Sequence, residues 1–282
     1  MPVTEFKSRI QKFLSPFILI LFSTSVFSYE EVLPRYALII GNANYTFSPL
    51  KNPLNDANDM ASTLRALRYD VTVALNQNPD QLRQSVSRFY NSIKEHNAIS
   101  LFYYAGHAIQ SNNVNYLIPV NANITSFERM KSQALSVNKV LTALKQSPSN
   151  QNIIILDACR NNPFEVNSDR KNKRSPVIND EKLLNLPHGL APVEAPTGTL
   201  IAYATEPGNT AADGKGSNGT YTSALLRHIR KSETAEALFK EVRKDVLEVT
   251  RNRQTPWEHS SLIEKFYFMP PSNEEIPDIV SF

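Results

Sequence analysis

The sequence predicts an α/β fold in which helices cover both faces of a largely parallel β-sheet. Short apolar runs of strand length alternate along the chain with segments whose apolar residues recur at helical spacing. Two runs, AISLFYY at 98–104 and NIIIL at 152–156, are almost entirely apolar, as expected for strands buried on both faces. Hydrophobic residues make up 41% of the 282 residues, so the chain can bury such a core.

The predicted elements follow one another in a regular order. Strands are predicted at 36–41, 69–75, 98–104, 114–120, 152–156 and 199–204, and helices at 56–67, 80–94, 137–145, 223–230 and 234–250. Strands that alternate with helices form parallel sheets, and functional side chains in such folds lie just past the carboxyl ends of the strands. The motifs that follow strands therefore carry the functional prediction.

Both ends of the chain and one internal segment lie outside this pattern. Residues 1–28 combine basic residues, the apolar run FLSPFILILF and a small-polar stretch, which is the layout of a secretory signal peptide. We expect an exported protein, periplasmic or secreted, with no stable membrane span after cleavage; the alternative is an uncleaved anchor, although the apolar run is short for a span. The folded domain is expected at 29–269, with a mobile loop at 161–198 and an acidic, disordered tail at 270–282.

Composition excludes several classes of function. Thirty basic and 27 acidic residues give a formal charge of +3, which does not indicate a nucleic-acid partner. No glycine-rich phosphate loop is present, which argues against a flavodoxin-like nucleotide-binding module. Cys159 is the only cysteine, so no internal disulfide can form. A lone thiol in an exported protein favours a chemical role, with a buried inert cysteine as the alternative.

His107 and Cys159 follow the two strongest predicted strands. AISLFYY leads into AGHA, and NIIIL leads into DACRN, so each motif places one reactive side chain just past a strand end. An imidazole beside a thiol can accept its proton and later protonate a leaving amine. The two residues are 52 positions apart with the histidine upstream, which predicts a shared nucleophilic site.

The motifs YALIIGNANY, NDA, FYYAGHA, NYLIPV, ILDACRNNPF and GTLIAYATEPG resemble the caspase-like cysteine peptidase family in its bacterial form. The resemblance covers residues 36–268 and implies a three-layer α/β/α sandwich with a mainly parallel six-stranded sheet. It implies a cysteine endopeptidase with His107 and Cys159 as a catalytic dyad, and the backbone N–H groups of Ala108 and Cys159 as the oxyanion site. The family usually has glycine where Ala108 stands, so we expect that its methyl group could narrow the cleft.

The resemblance also implies substrate specificity. Metacaspases and their bacterial relatives cut after arginine or lysine, and Asp56, Asp157 and Asp213 occupy positions that could bind such side chains. The expected partners are therefore proteins or peptides with basic residues. The alternatives are a helix N-cap for Asp56 and a structural acid for Asp157. The segment 161–198 carries Arg170, Lys171, Lys173 and Arg174, so an enzyme of this specificity could cut its own loop.

Two questions stay open from the sequence. A catalytically silent caspase-fold module that binds peptides or partner proteins is the alternative function; both dyad residues argue against it, and Ala108 is the one feature in its favour. No cofactor is expected, and no metal-ligand spacing involves Cys159. Calcium dependence is possible by analogy with some metacaspases, although no EF-hand spacing occurs.

Overall fold

The computed structural model describes residues 33–148, 151–158, 162–164, 180–211, 214 and 216–271. The strands are β1 Arg35–Gly41, β2 Asp70–Leu75, β3 Ile99–Ala105, β4 Ala108–Ser111, β5 Val114–Leu117, β6 Leu135–Ser136, β7 Asn152–Asp157, β8 Thr199–Tyr203 and β9 Trp257–Ser260. The helices are α1 Pro53–Ala66, α2 Pro79–Ile93, α3 Phe127–Gln133, α4 Val137–Lys145, α5 Glu181–Leu184, α6 Thr220–His228 and α7 Ala235–Thr250.

Six strands form the central sheet in the order β2-β1-β3-β7-β8-β9. The first five are parallel, and β9 pairs antiparallel with β8. The sequence-based prediction of a mainly parallel six-stranded sheet is therefore confirmed.

Alternate residues of β1 show how the sheet is covered on both faces. Ala37 and Ile39 pack into a cluster that α1, α6 and α7 complete, whereas Leu38 and Ile40 pack into a second cluster with α2 and α4. Side chains alternate between the faces of a strand, so a continuous apolar run supplies both cores. The result is the predicted three-layer arrangement. In the part of the chain that is described, no helix has the length and apolarity needed to cross a membrane.

A small antiparallel sheet, in the order β4-β5-β6, follows the histidine motif. The sequence predicts one strand at 114–120, and the structure instead ends β5 at Leu117 and pairs it with β4 and β6. These strands have two to four residues each, too few to produce a clear alternating pattern. This sheet determines the backbone geometry immediately after His107.

Several residues of 180–198 are buried against the domain, although the sequence predicts an exposed, mobile loop over 161–198; the mobility of the segment stays a prediction. Leu183, Leu190 and Ala191 are at most 2% exposed. The side-chain amide of Asn115 donates to the carbonyl of Ala191 at 2.8 Å and accepts from its N–H at 2.8 Å. Residues 165–179, with the basic cluster, lie outside the described residues, as do the predicted signal at 1–28 and most of the predicted tail.

Candidate active site

Two neighbouring parallel strands end at the same edge of the sheet, and each of the two predicted dyad residues follows one of them in the sequence. Ala105 of β3 lies in register with Asp157 of β7. His107 comes two residues after Ala105, and Cys159 comes two residues after Asp157. The N–H of Gly106 donates to the carbonyl of Asp157 at 3.4 Å, so the two chains are still adjacent as they leave the sheet.

Cys159 lies outside the described residues, but the chain on either side of it is placed. Ala158 is fully buried at the end of β7. Asn162 donates to the carbonyl of Leu183 at 2.8 Å, and the ring of Phe164 lies 5.2 Å from that of Phe47. Because Phe47 stacks on the His107 ring at 6.4 Å, the segment that contains Cys159 starts and ends near the histidine. The sulfur–imidazole distance stays a prediction.

The His107 imidazole is held in one orientation by its surroundings. Its Nε2 lies 2.7 Å from the carbonyl oxygen of Ser48, and the Tyr45 ring lies 4.5 Å from its own ring. A carbonyl oxygen can only accept, so Nε2 must carry the proton in this hydrogen bond. In the neutral imidazole Nδ1 is then the basic nitrogen. His107 is 3% exposed, so its imidazole lies in a largely buried site.

The peptide between His107 and Ala108 lies at the start of β4, the first strand of the small sheet. The carbonyl of His107 accepts from the N–H of Ile118 at 2.9 Å, and Ala108 is the register partner of Leu117. In an antiparallel ladder hydrogen-bonded and non-hydrogen-bonded pairs alternate, so the N–H of Ala108 points away from β5. Because β4 is an edge strand of the small sheet, this N–H faces outward from the sheet.

The methyl group of Ala108 is buried in the hydrophobic core. Ala108 is 1% exposed and packs in the cluster that contains Leu117, Leu135 and Leu190. This burial argues against the expectation that the methyl could narrow the cleft, since side chains of a strand stand roughly perpendicular to the sheet in which its N–H groups lie. It weakens the one sequence feature that favoured a silent module.

Asp56 and Asp157 lie together beside Gly219, the residue that precedes α6. A β-carbon placed on Gly219 would lie 3.2 Å from Oδ2 of Asp56 and 3.3 Å from Oδ2 of Asp157. Asp56 and Asp157 are 2% and 6% exposed. The N–H of Gly219 donates to Oδ1 of Asp56 at 2.8 Å. Asp56 lies in the first turn of α1, whose N-cap is Asn52, so the alternative of an N-cap role for Asp56 is wrong.

A chain of hydroxyl groups supports the second carboxylate. The hydroxyl of Thr222 donates to Oδ2 of Asp157 at 2.7 Å, which uses its single hydrogen. The hydroxyl of Tyr103, 2.6 Å from that of Thr222, must therefore donate to it. Burial raises the pKa of Tyr103 well above its ordinary value, and the negative charges of Asp157 and Asp56 raise it further. The Tyr103 hydroxyl thus stays protonated and the chain of donors ends on an acceptor carboxylate.

A cavity of about 750 Å³ lies between the start of α6 and the end of α7, and two arginines, Arg227 and Arg253, contribute to its lining. Its lining includes Asn218 and Thr220, the chain neighbours of Gly219, and Arg253 after α7. Asp213, the third predicted acid, lies outside the described residues, so its position is not assigned. Among the residues that are described, no three His, Cys, Asp or Glu side chains cluster as a metal site would require.

Comparison with protein-family profiles identifies the family. The family profile that matches residues 34–267 is that of the caspase domain, which is a peptidase family. The chain belongs to the caspase domain family. This membership supports a peptidase-type function in general terms.

The curated proteins that resemble this chain share 25–26% of its residues over the aligned lengths. Mucosa-associated lymphoid tissue lymphoma translocation protein 1 of Homo sapiens is 26% identical over 237 residues, which cover 82% of this chain and 26% of that protein. Its Mus musculus homolog is 25% identical over the same length and the same shares. A probable protease of a Desulfuromonadales bacterium is 25% identical over 177 residues, which cover 60% of this chain and 20% of that protein. The chain thus spans about a quarter or less of the length of these relatives.

Several residues of the site were not identified from the sequence. Ser48 supplies a backbone carbonyl, which any residue type could provide, so no pattern indicates it. Gly219 and Thr222 reach the acids from 163 and 65 residues away. Tyr104, in contrast, stands in the FYYAGHA motif, where a tyrosine inside a fully buried strand is a polar group that needs a partner.

Proposed function

We propose that this protein is a cysteine endopeptidase in which Cys159 is the nucleophile and His107 the general base. The observation that carries the proposal is the hydrogen bond from Nε2 of His107 to the carbonyl of Ser48, which leaves Nδ1 as the basic nitrogen at the strand end next to the one that leads to Cys159. The fixed tautomer matters because a base must present an unprotonated nitrogen to the thiol.

The proposed reaction has two halves. His107 accepts the thiol proton, and the sulfur of Cys159 bonds to the scissile carbonyl carbon while the carbonyl electron pair moves onto oxygen. The N–H groups of Ala108 and Cys159 hold that oxyanion. When the pair returns, the carbon–nitrogen bond breaks, the leaving nitrogen takes the proton from His107, and an acyl-enzyme remains. Water, deprotonated by His107, then releases the acid and restores the thiol.

The acidic pair supports a preference for arginine or lysine before the cut. Asp56 and Asp157 each direct an Oδ2 atom toward the space beside Gly219, next to the strand end that leads to Cys159. A guanidinium has five donors in a planar fork and bonds carboxylates with charge assistance. Glycine at this position leaves room for such a group, and an acidic substrate side chain would meet like charge. Asp213 is proposed as a third contributor on the basis of sequence alone.

We also propose that the protein is exported, as the layout of residues 1–28 indicates, with basic proteins or peptides as substrates. Its mechanism as proposed requires no cofactor.

The test of the function is a hydrolysis assay of residues 29–282 with fluorogenic peptides that differ only in having Arg, Lys or Asp before the cut. Cys159→Ala and His107→Ala are the matched controls. We expect turnover of the Arg and Lys peptides by the unmodified chain only. Preferential cleavage after Asp would contradict the proposed pocket, and equal turnover by Cys159→Ala would contradict the proposed nucleophile.

A further inference from the structure

Two tyrosine hydroxyls converge beneath the backbone of His107. The hydroxyl oxygens of Tyr45 and Tyr104 are 3.3 Å apart, and both residues are buried. A β-carbon on Gly106 would lie 2.7 Å from the first hydroxyl and 2.8 Å from the second. Any side chain at this position would displace one of them, which gives a physical reason for the glycine in the AGHA motif.

The donors and acceptors in this cluster can be assigned. The Tyr104 hydroxyl lies 2.8 Å from the His107 carbonyl and 2.9 Å from that of Ile118. The Tyr45 hydroxyl donates to the Ile118 carbonyl at 2.9 Å and accepts from the His107 N–H at 3.0 Å. Each phenol has one hydrogen. We assign the Tyr104 hydrogen to the His107 carbonyl, which is the nearer of its two acceptors, and the Tyr45 hydrogen to the Ile118 carbonyl, so that each hydrogen has its own acceptor.

The acceptor of the Tyr104 hydrogen bond belongs to the peptide that carries the Ala108 N–H. The His107 carbonyl receives two donors, the Tyr104 hydroxyl and the N–H of Ile118, which together fix the plane of that peptide. Hydrogen bonds to a carbonyl polarise the whole peptide and strengthen its N–H as a donor. Burial raises the pKa of Tyr104 well above its ordinary value, so the hydroxyl keeps its proton.

We propose that Tyr104 is a positioning residue of the oxyanion site, because its hydroxyl orients and polarises the His107–Ala108 peptide whose N–H stabilises the tetrahedral intermediate. This inference rests on the proposed peptidase function. Tyr104 contacts neither the substrate nor the reacting atoms in this proposal. Tyr45 contacts its hydroxyl, and Gly106 leaves the space that both hydroxyls occupy.

Tyr104→Phe removes the hydroxyl and retains the ring. We expect kcat to fall roughly tenfold with KM nearly unchanged, since the full loss of an oxyanion donor costs 100- to 1000-fold and here the donor is weakened, not removed. A peptide aldehyde ending in Arg adds to Cys159 and places its oxygen in the same site, so its affinity by calorimetry should fall by a similar factor. Alkylation of Cys159 by iodoacetamide develops no oxyanion and should keep its rate.

Tyr69→Phe is the matched control. Tyr69 is 4% exposed, and its hydroxyl contacts Arg35 at 3.4 Å near the opposite end of the sheet. This variant should leave all three measurements unchanged. If Tyr104→Phe does not fold, Tyr45→Phe, which removes the acceptor of the His107 N–H, should weaken aldehyde binding in the same direction.

Unchanged kcat and aldehyde affinity in Tyr104→Phe would overturn the inference. If Tyr104→Phe lowers the aldehyde affinity and the alkylation rate by the same factor, the inference is also overturned, because such a result indicates that His107 and Cys159 have moved relative to one another. If the unmodified enzyme cleaves no peptide, the proposed function fails, while aldehyde affinity still decides the role of Tyr104. If the unmodified enzyme does not bind the aldehyde either, both proposals fail.

Discussion

Asp157→Asn separates the charge of the acidic pair from its role in the fold. Asparagine has nearly the same shape and keeps an oxygen that can accept from the Thr222 hydroxyl, now 2.7 Å from the carboxylate. The hydroxyl chain from Tyr103 through Thr222 can therefore persist. What the variant loses is the negative charge that faces the space beside Gly219, so its effect should appear in substrate binding.

The size of that effect follows from the kind of hydrogen bond. A bond to a charged group contributes about 1.5–3 kcal/mol, which corresponds to roughly tenfold to a hundredfold in kcat/KM. We expect a loss of this size for Arg peptides, mainly through a higher KM. The loss should be smaller for Lys peptides, because an ammonium group makes no forked contact with a carboxylate.

The assay is steady-state hydrolysis of Arg and Lys peptides, with thermal unfolding measured in parallel. Asp70→Asn is the charge-matched control, since Asp70 is exposed at the first residue of β2, at the opposite end of the strands. If Asp157→Asn leaves the KM for Arg peptides unchanged while it folds normally, the acidic pair does not bind the substrate and the specificity argument is refuted.

Three further predictions concern the pocket, the basic segment and the N-terminus. Gly219→Ala should raise the KM for Arg peptides, because its methyl group would lie 3.2 and 3.3 Å from the two carboxylates and occupy the space proposed for the substrate. The unfolding temperature should change little, because the backbone angles of φ −60° and ψ 154° suit alanine. An unchanged KM would contradict the assigned pocket. Mass spectrometry should find cleavage near Arg174 in the active chain and not in Cys159→Ala, since basic residues there match the proposed specificity; equal nicking in both would dismiss self-processing. Protein exported by a bacterial host should begin after Ser28; an intact N-terminus would favour the uncleaved anchor.

The sequence locates five of the six central strands because their signal is local, whereas β9 at Trp257–Ser260 was not predicted. YALIIG and NIIIL are long enough to identify buried strands, and helices such as α4 coincide with their predicted ranges. The small sheet of β4, β5 and β6 and the burial of residues such as Leu190 and Ala191 were missed, since short runs give little periodicity and burial depends on partners such as Asn115.

In the candidate site, too, some features could be predicted from local sequence signals and others depend on how distant elements pack. His107 and Cys159 follow predicted strands, so their proximity is an expectation from topology. The pairing of Asp56 with Gly219 depends on how α1 and α6 pack, and a contact across 163 residues has no local pattern. Ala108 shows the reverse case, since the sequence shows a departure from the family pattern and only the structure shows that its methyl group packs in the core.

The central claim is that Cys159 is a nucleophile activated by His107, and covalent labelling tests it most directly. A peptidyl acyloxymethyl ketone ending in Arg is incubated with residues 29–282, and the adduct is located by peptide mass spectrometry. The account predicts one adduct on Cys159 that forms rapidly in the unmodified chain and at least a hundredfold more slowly in His107→Ala, roughly the lower limit for removing a catalytic base. Equal labelling rates in the two proteins, or no adduct on Cys159, would contradict the dyad.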